Sequence, residues 1–199
     1  MAVKKINEQG ADVVYIKAAP VAPILKASDK EKMHETLSEG AKDFKSDQKG
    51  YDFEWLPEIY QLVDDLKDTA ESIADRCLGL ASTQIWDKDT PCPAIFVMRW
   101  PTPRDMENAR GWIWKEFINP VMKSSGKTIP YREGCLSYPG MTVRKKRKSN
   151  VTMLFQTLDD PRQRSIKLTK LAHADLPHIV QHEVDHLNGL CIRSRNFKQ

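Results

Sequence analysis

Apolar residues recur along the chain with two different periods. From Pro57 onward, Ile59, Leu62, Val63, Leu66, Ala70 and Ile73 fall mostly three or four residues apart, the spacing of one helical face. Pro57 suits the first turn, because the N–H it lacks is one a helix leaves unbonded anyway. This pattern predicts an amphipathic helix running to about Arg76, its apolar stripe turned to the core. Beyond Gln84 the pattern becomes strand-like over Ala94–Met98, Trp112–Ile118 and Val151–Leu158, the last followed by Ser165–Leu168 after a polar turn. A final helix is expected downstream of Asp175, placed to cap it, with Pro177 in its first turn and Gly189 at its end.

The first third of the chain is less regular. Residues 1–27 carry Pro20 and Pro23, which limit helix, while Val13–Ile16 reads as a short strand. Ser28-Asp29-Lys30-Glu31 has the form of a capping box opening a helix to about Asp43, and the polar run Ser46–Gly50 reads as a loop. Strands in the middle with helices towards each end predict an α+β fold. A length of 199 residues suits one domain.

Composition narrows the partners. The 31 basic and 27 acidic residues leave a net charge of +4, too mild an excess to imply nucleic acid, so no sequence-specific nucleic-acid partner is expected. No apolar run is long enough to span a bilayer. Met1–Glu8 lacks the apolar core of a secretion signal and the Arg-rich, acid-poor character of an import leader. The expected location is the cytoplasm, or an organelle if a leader has been removed. Without a secretory context Cys77, Cys92, Cys135 and Cys191 are expected to be thiols.

The chemistry concentrates near the C-terminus, in Gln181-His182-Glu183-Val184-Asp185-His186-Leu187-Asn188-Gly189. On a helix His182 and His186 share a face and can aim two imidazoles at one divalent metal, with Glu183 within reach of water at that metal. A hydrolytic site needs a third protein ligand. Ile192 stands where the long zinc-protease pattern has its third His, and Leu187–Gln199 holds no acidic residue. The third ligand is therefore sought upstream, and Cys135 in Glu133-Gly134-Cys135-Leu136-Ser137 is the best candidate, since a thiolate binds such metals well.

A further segment, Cys77-Leu78-Gly79-Leu80-Ala81-Ser82-Thr83-Gln84, completes a set of three. Together they resemble the peptide deformylase family, whose signatures run Gly-Φ-Gly-Φ-Ala-Ala-x-Gln, Glu-Gly-Cys-Leu-Ser and Gln-His-Glu-x-Asp-His-Leu-x-Gly in that order. The second and third are matched without substitution. The first departs at Cys77, in place of a Gly, and at Ser82, in place of an Ala. The resemblance covers the chain from about Pro57 onward. It implies mixed or antiparallel strands around a central metal-binding helix, and makes residues 28–54 a helical insertion within a single domain, 1–199.

The resemblance also implies roles. Cys135, His182 and His186 would hold one divalent metal, ferrous iron in most of the family, with zinc, nickel or cobalt as substitutes. Glu183 would be the general base, and Gln84 with the backbone N–H of Leu136 would hold the oxyanion. Gly79, Leu80 and Gly134 would bind substrate, the two glycines by letting its backbone approach. Asp185 would pair with Arg147 in a supporting role. The substrate would be an N-formylmethionyl peptide and the product formate. Cys77 would be strained if its position demanded φ > 0, so local adjustment and an altered substrate subsite are expected there. The run Arg144–Lys148 reads as a solvated strand edge; its second reading is docking at the ribosome exit region. His34, His173 and His178 default to surface or packing, although His178, one turn before His182, could line the pocket. Two other functions stand beside deformylation: a metallopeptidase, against which the missing third His or Glu argues, and a degenerate binding module, against which an intact Glu183 argues.

Overall fold

The structure, a computed structural model, describes residues 3–7, 17–25, 53–102 and 110–194. The expected strand at Val13–Ile16, the helix from Ser28, the loop at Ser46–Gly50 and His34 lie outside them. The expected insertion is seen only at its margins, where β1 (Ile24–Leu25) pairs antiparallel with β2 (Phe53–Glu54).

The helix α1 (Pro57–Ser72) carries Pro57 in its first turn and buries Ile59, Leu62, Val63, Leu66 and Ala70 as their spacing requires. It ends four residues earlier than its apolar period suggested. Residues 73–76 form turns instead, and Cys77 N–H bonds back to the Ile73 carbonyl at 3.0 Å. After it come β3 (Gly79–Ala81), a 3-10 turn (Ser82–Gln84), β4 (Ile95–Pro101), β5 (Trp112–Cys135), β6 (Tyr138–Gln156) and β7 (Arg164–Thr169). They form one five-stranded sheet in chain order, and every strand pairing in it is antiparallel. A parallel contact occurs only as an isolated bridge, Ala19 to Pro93, among the described residues. A short helix α2 (Lys170–His173) precedes α3 (Leu176–Leu187).

Both faces of β4 are covered over Ile95–Met98, which is why that stretch is a continuous apolar run. Ile95 and Val97 pack with α1 residues Val63 and Leu66. Phe96 and Met98 point the other way, into a cluster with Val180, Val184 and Leu187 of α3. The sheet thus separates two apolar layers, and α3 occupies one of them. Asp175 takes the N-cap position of α3, yet its side chain does not cap; its carboxylate pairs with Lys170 Nζ at 2.6 Å, and its carbonyl accepts from His178 and Ile179. Gly189 ends the helix with φ +72°, a conformation glycine adopts freely.

The long hairpin of β5 and β6 carries the fold's main irregularities. Asn119, at φ 50°, marks a register shift, and its side chain exchanges hydrogen bonds with both Val21 backbone groups, tying the N-terminal segment to the sheet. β7 pairs with β6 only from Asn150 to Phe155. Upstream of that stretch Gln181 of α3 takes over: its Oε1 accepts from Lys148 N–H at 3.1 Å and its Nε2 donates to the Lys148 carbonyl at 2.9 Å.

Candidate active site and metal centre

Three remote segments converge beside α3. The turn of the helix brings His182, Glu183 and His186 towards the end of β5 and the edge strand β3. Ligand atoms of Cys135, His182 and His186 all lie within 4.8 Å of one another. Cys135 Sγ is 3.2 Å from His186 Nε2, and the two imidazole rings stand edge to face at 5.0 Å. One soft thiolate and two imidazoles suit a first-row divalent cation.

Charge around the cluster supports that fit. His182 Nδ1 is 3.1 Å from Glu133 Oε2, which leaves Nε2 turned to the cluster. Burial opposes a charge on His182, but the Cys135 sulfur and Glu133 carboxylate outweigh it and lift its pKa to about 10. Burial drives the His186 pKa well below the usual range.

Glu133 is itself locked. Arg147 donates to both its oxygens at 2.7 Å, from Nε and from Nη2, and its Nη1 donates to Asp185 Oδ2. Burial would raise the Glu133 pKa, yet the hydrogen bonds from Arg147 and His182 hold it at about 2. With Arg147 only 5% exposed and Glu133 4%, the pair is a desolvated clamp that orients the His182 ring. Asp185 and Arg147 thus meet as the resemblance implied, while Glu133 between them was not singled out. Its signal was its place two residues before Cys135 in an unsubstituted motif. Strand alternation explains the rest of the basic run: Arg147 turns inward, whereas Arg144 and Lys146 are exposed.

Glu183 is 3% exposed, and its Oε2 has no hydrogen-bond partner among the described residues. Burial pushes its carboxyl up to about 7, against the pull of the His182 charge. A β-carbon on Gly79 would lie 2.6 Å from Glu183 Oε1 and 2.9 Å from its Cδ. The lack of a side chain at Gly79 therefore makes room for this carboxylate. At Gly134 a β-carbon would meet only the Met141 carbonyl, at 3.8 Å.

The 3-10 turn fixes Gln84. Its Oε1 accepts from Ala81 N–H at 3.0 Å, so Nε2 points towards Cys135 Sγ, 4.0 Å away, and donates to Ser137 Oγ at 3.2 Å. Thr83 Oγ1 donates to the His186 carbonyl at 3.3 Å, joining this turn to α3. Ser137 and Thr83 were not foreseen, although both stand inside the motifs.

A cleft of about 770 Å³ opens over these groups, and Gln84, Cys135, Leu136, His182 and Glu183 line it. Leu78 also lines it and is 47% exposed. Leu80, expected at the substrate, has a fully buried side chain packed among α1 residues and does not line the cleft. Cys77 is not strained, since Asn119 and Ala174 are the described non-glycine residues with positive φ. It is buried in the core with its thiol on the Gly79 carbonyl at 3.3 Å. Burial lifts that thiol to about 12. Its substitution therefore alters the core and leaves the cleft wall to Leu78. Ser82 is equally buried and donates to the Pro93 carbonyl. His178 does line the cleft, stacked on Tyr131 at 4.2 Å, and His173 Nδ1 accepts from Thr169 N–H. No disulfide forms among the four cysteines.

Residues 21–198 match the family model for polypeptide deformylase. A peptide deformylase of Helicobacter pylori strain G27 is 30% identical over 132 residues, covering 66% of this chain and 68% of the relative. Among solved structures, a class I type b peptide deformylase from Acinetobacter baumannii with Met-Ala-Ser bound is 22% identical, with TM-score 0.63 and 96% of each chain covered. The deformylase of the Vibrio parahaemolyticus bacteriophage VP16T, solved with actinonin, is 25% identical, with TM-score 0.61 over 94% of this chain and 99% of that one. Three motifs in order, an antiparallel sheet packed against the helix that carries His182 and His186, and a Cys-His-His cluster agree with these matches, and the chain belongs to the polypeptide deformylase family of hydrolases.

Proposed function

We propose that Cys135, His182 and His186 hold one divalent metal, ferrous iron, beside which this chain hydrolyses the formyl amide of N-formylmethionyl peptides and releases formate. The observation that carries this reading is the convergence of three ligand atoms within 4.8 Å with an unpartnered Glu183 carboxylate in one cleft. When bound, such a metal supplies Lewis acidity, polarising a carbonyl and lowering the pKa of water to about 7. Glu183 takes a proton from the attacking water and delivers it to the departing amine. Gln84 Nε2 and the Leu136 backbone N–H donate to the developing oxyanion.

Gly79, Gly134 and the backbone of Leu80 flank the substrate chain. Glu133, Arg147 and Asp185 keep His182 in place as a ligand. The setting is the cytoplasm, where nascent chains emerge, with the exposed Arg144 and Lys146 turned to the ribosome exit region. None of the described helices is long and apolar enough to cross a membrane.

The test is formate release from formyl-Met-Ala-Ser by protein purified anaerobically with ferrous iron, beside a Glu183→Ala control. Release that vanishes in a control carrying the same metal supports the reading. No release by wild-type protein holding one metal per chain refutes it.

A further inference from the structure

The cleft is framed by charges of one sign. Among the described residues its acidic lining groups are Glu133 and Glu183, both buried, the first already bound by Arg147. Its solvent-reaching ionic groups are Lys4, Lys5, Arg76 and Arg132. Lys4 is neutralised by Asp65 at 3.9 Å and Asp87 at 3.6 Å. Lys5, Arg76 and Arg132 are exposed and make no ion pair with any described residue. Asp75 neighbours Arg76 in sequence but does not line the cleft.

These cations stand at a definite distance from the reacting groups. Arg132 lies on extended β5, three residues before Cys135, or about 10 Å from it at the rise of a strand. Arg76 lies three residues before Gly79, the residue against Glu183. Lys5 belongs to the N-terminal segment Val3–Ile6, which forms another wall of the same cleft. That segment is anchored by Lys4 N–H on Thr69 Oγ1 at 2.9 Å and by Asn7 N–H on the Gln84 carbonyl at 2.7 Å. An extended peptide with its first residue at the cluster carries its third and fourth side chains about 7 and 10 Å out, within reach of these long cationic side chains.

We infer that Lys5, Arg76 and Arg132 form a specificity rim that favours peptides with acidic side chains at the third and fourth positions. The inference rests on the deformylase reading of the same cleft. Like charges gathered around a concave site focus a potential that attracts the opposite charge.

The test compares formyl-Met-Ala-Asp-Glu with its amide-matched counterpart formyl-Met-Ala-Asn-Gln. Binding to nickel-loaded Glu183→Ala protein is measured by calorimetry, and turnover by iron-loaded wild type in parallel. Two solvent-exposed pairs correspond to about fivefold tighter binding of the acidic peptide at low salt. Near 1 M salt, where the screening length is about 3 Å, the preference falls below about twofold. The double variant Arg76→Glu/Arg132→Glu inverts it, and in turnover the preference lies in KM, as for an interaction made equally in ground and transition states. Comparing two peptides on one protein cancels any loss of folding in the variant. Equal or weaker binding of the acidic peptide, or a preference that survives charge reversal, overturns the inference. Selective binding without formate release by wild type would sink the deformylase reading while upholding the rim. Failure of both peptides to bind overturns both.

Discussion

Gly79→Ala isolates the contact on which the site's spacing depends. The new β-carbon would stand 2.6 Å from Glu183 Oε1 and 2.9 Å from its Cγ and Cδ. Ordinary carbon contacts begin at about 3.5 Å, so the groups must separate by roughly 0.6–0.9 Å. The backbone tolerates alanine, because Gly79 is not among the positive-φ glycines. Glu183 cannot swing into solvent, being 3% exposed, and β3 is tied to β4 through the Gly79–Met98 register. The carboxylate therefore moves. A displacement near 1 Å at a catalytic group costs about 100-fold in rate, equivalent to about 2.7 kcal/mol of transition-state stabilisation. Overpacking also costs about 1–3 kcal/mol of stability, which for a chain of this size lowers Tm by roughly 2–12 °C. The assay is kcat/KM for formyl-Met-Ala-Ser by a coupled formate readout, with metal content and Tm measured on the same preparations. A Glu183→Ala background supplies the internal check, because it removes all three clashing atoms. There Gly79→Ala should destabilise far less than it does in wild type. Undiminished activity, or an equal loss of stability in both backgrounds, would refute the reasoning.

Other perturbations separate the remaining parts of the site. Gln84→Ala should lower kcat by about 100-fold, or about 3 kcal/mol, with KM little changed, since the donor acts on the transition state; a pure KM effect in steady-state kinetics would contradict that role. Arg147→Met leaves Glu133 buried without its cation, which should cost about 3–5 kcal/mol in denaturant unfolding, and loosening the His182 ring should weaken metal affinity about 10–100-fold in a chelator competition. Asp160 lies in the turn between β6 and β7, where hydrogen bonds from Arg162 and then Arg164 hold its carboxyl below the usual range. A depressed folded-state pKa gives stability that is present above the unfolded value, about 3.9, and lost as pH falls through the folded one. Asp160→Asn should therefore lower Tm at neutral pH, with the gap to wild type closing below about pH 4; a gap constant with pH in calorimetry would show that the effect is not ionic.

Much of the site was legible because its signals are local. His182, Glu183 and His186 lie within one turn and a half of helix, so the helical period alone sets which of them share a face. Cys135 followed from the need for a third ligand and from an unsubstituted motif. The apolar period of α1 and the continuous run of β4 announced their buried faces for the same reason. The length of β5 and β6 was not legible, because Ser124–Thr128 and Arg144–Ser149 are polar on both faces and carry no apolar alternation. β3 escaped notice because three residues are too few to display a period.

What the sequence by itself determined is the placing of His182, Glu183 and His186 on one helix, the resemblance to the deformylase family and the α+β class, the first fixed by spacing within a single element and the others by motifs and by the order of apolar periods. Only the tertiary structure decided the rest. It placed Leu78 and not Leu80 at the cleft, made Gly79 a gap for Glu183, joined Glu133, Arg147 and Asp185 into one clamp, and gathered Lys5, Arg76 and Arg132 along one rim. Each of these depends on the register of β5 against β6 and on the seating of α3 against the sheet, contacts between remote segments that no local period encodes.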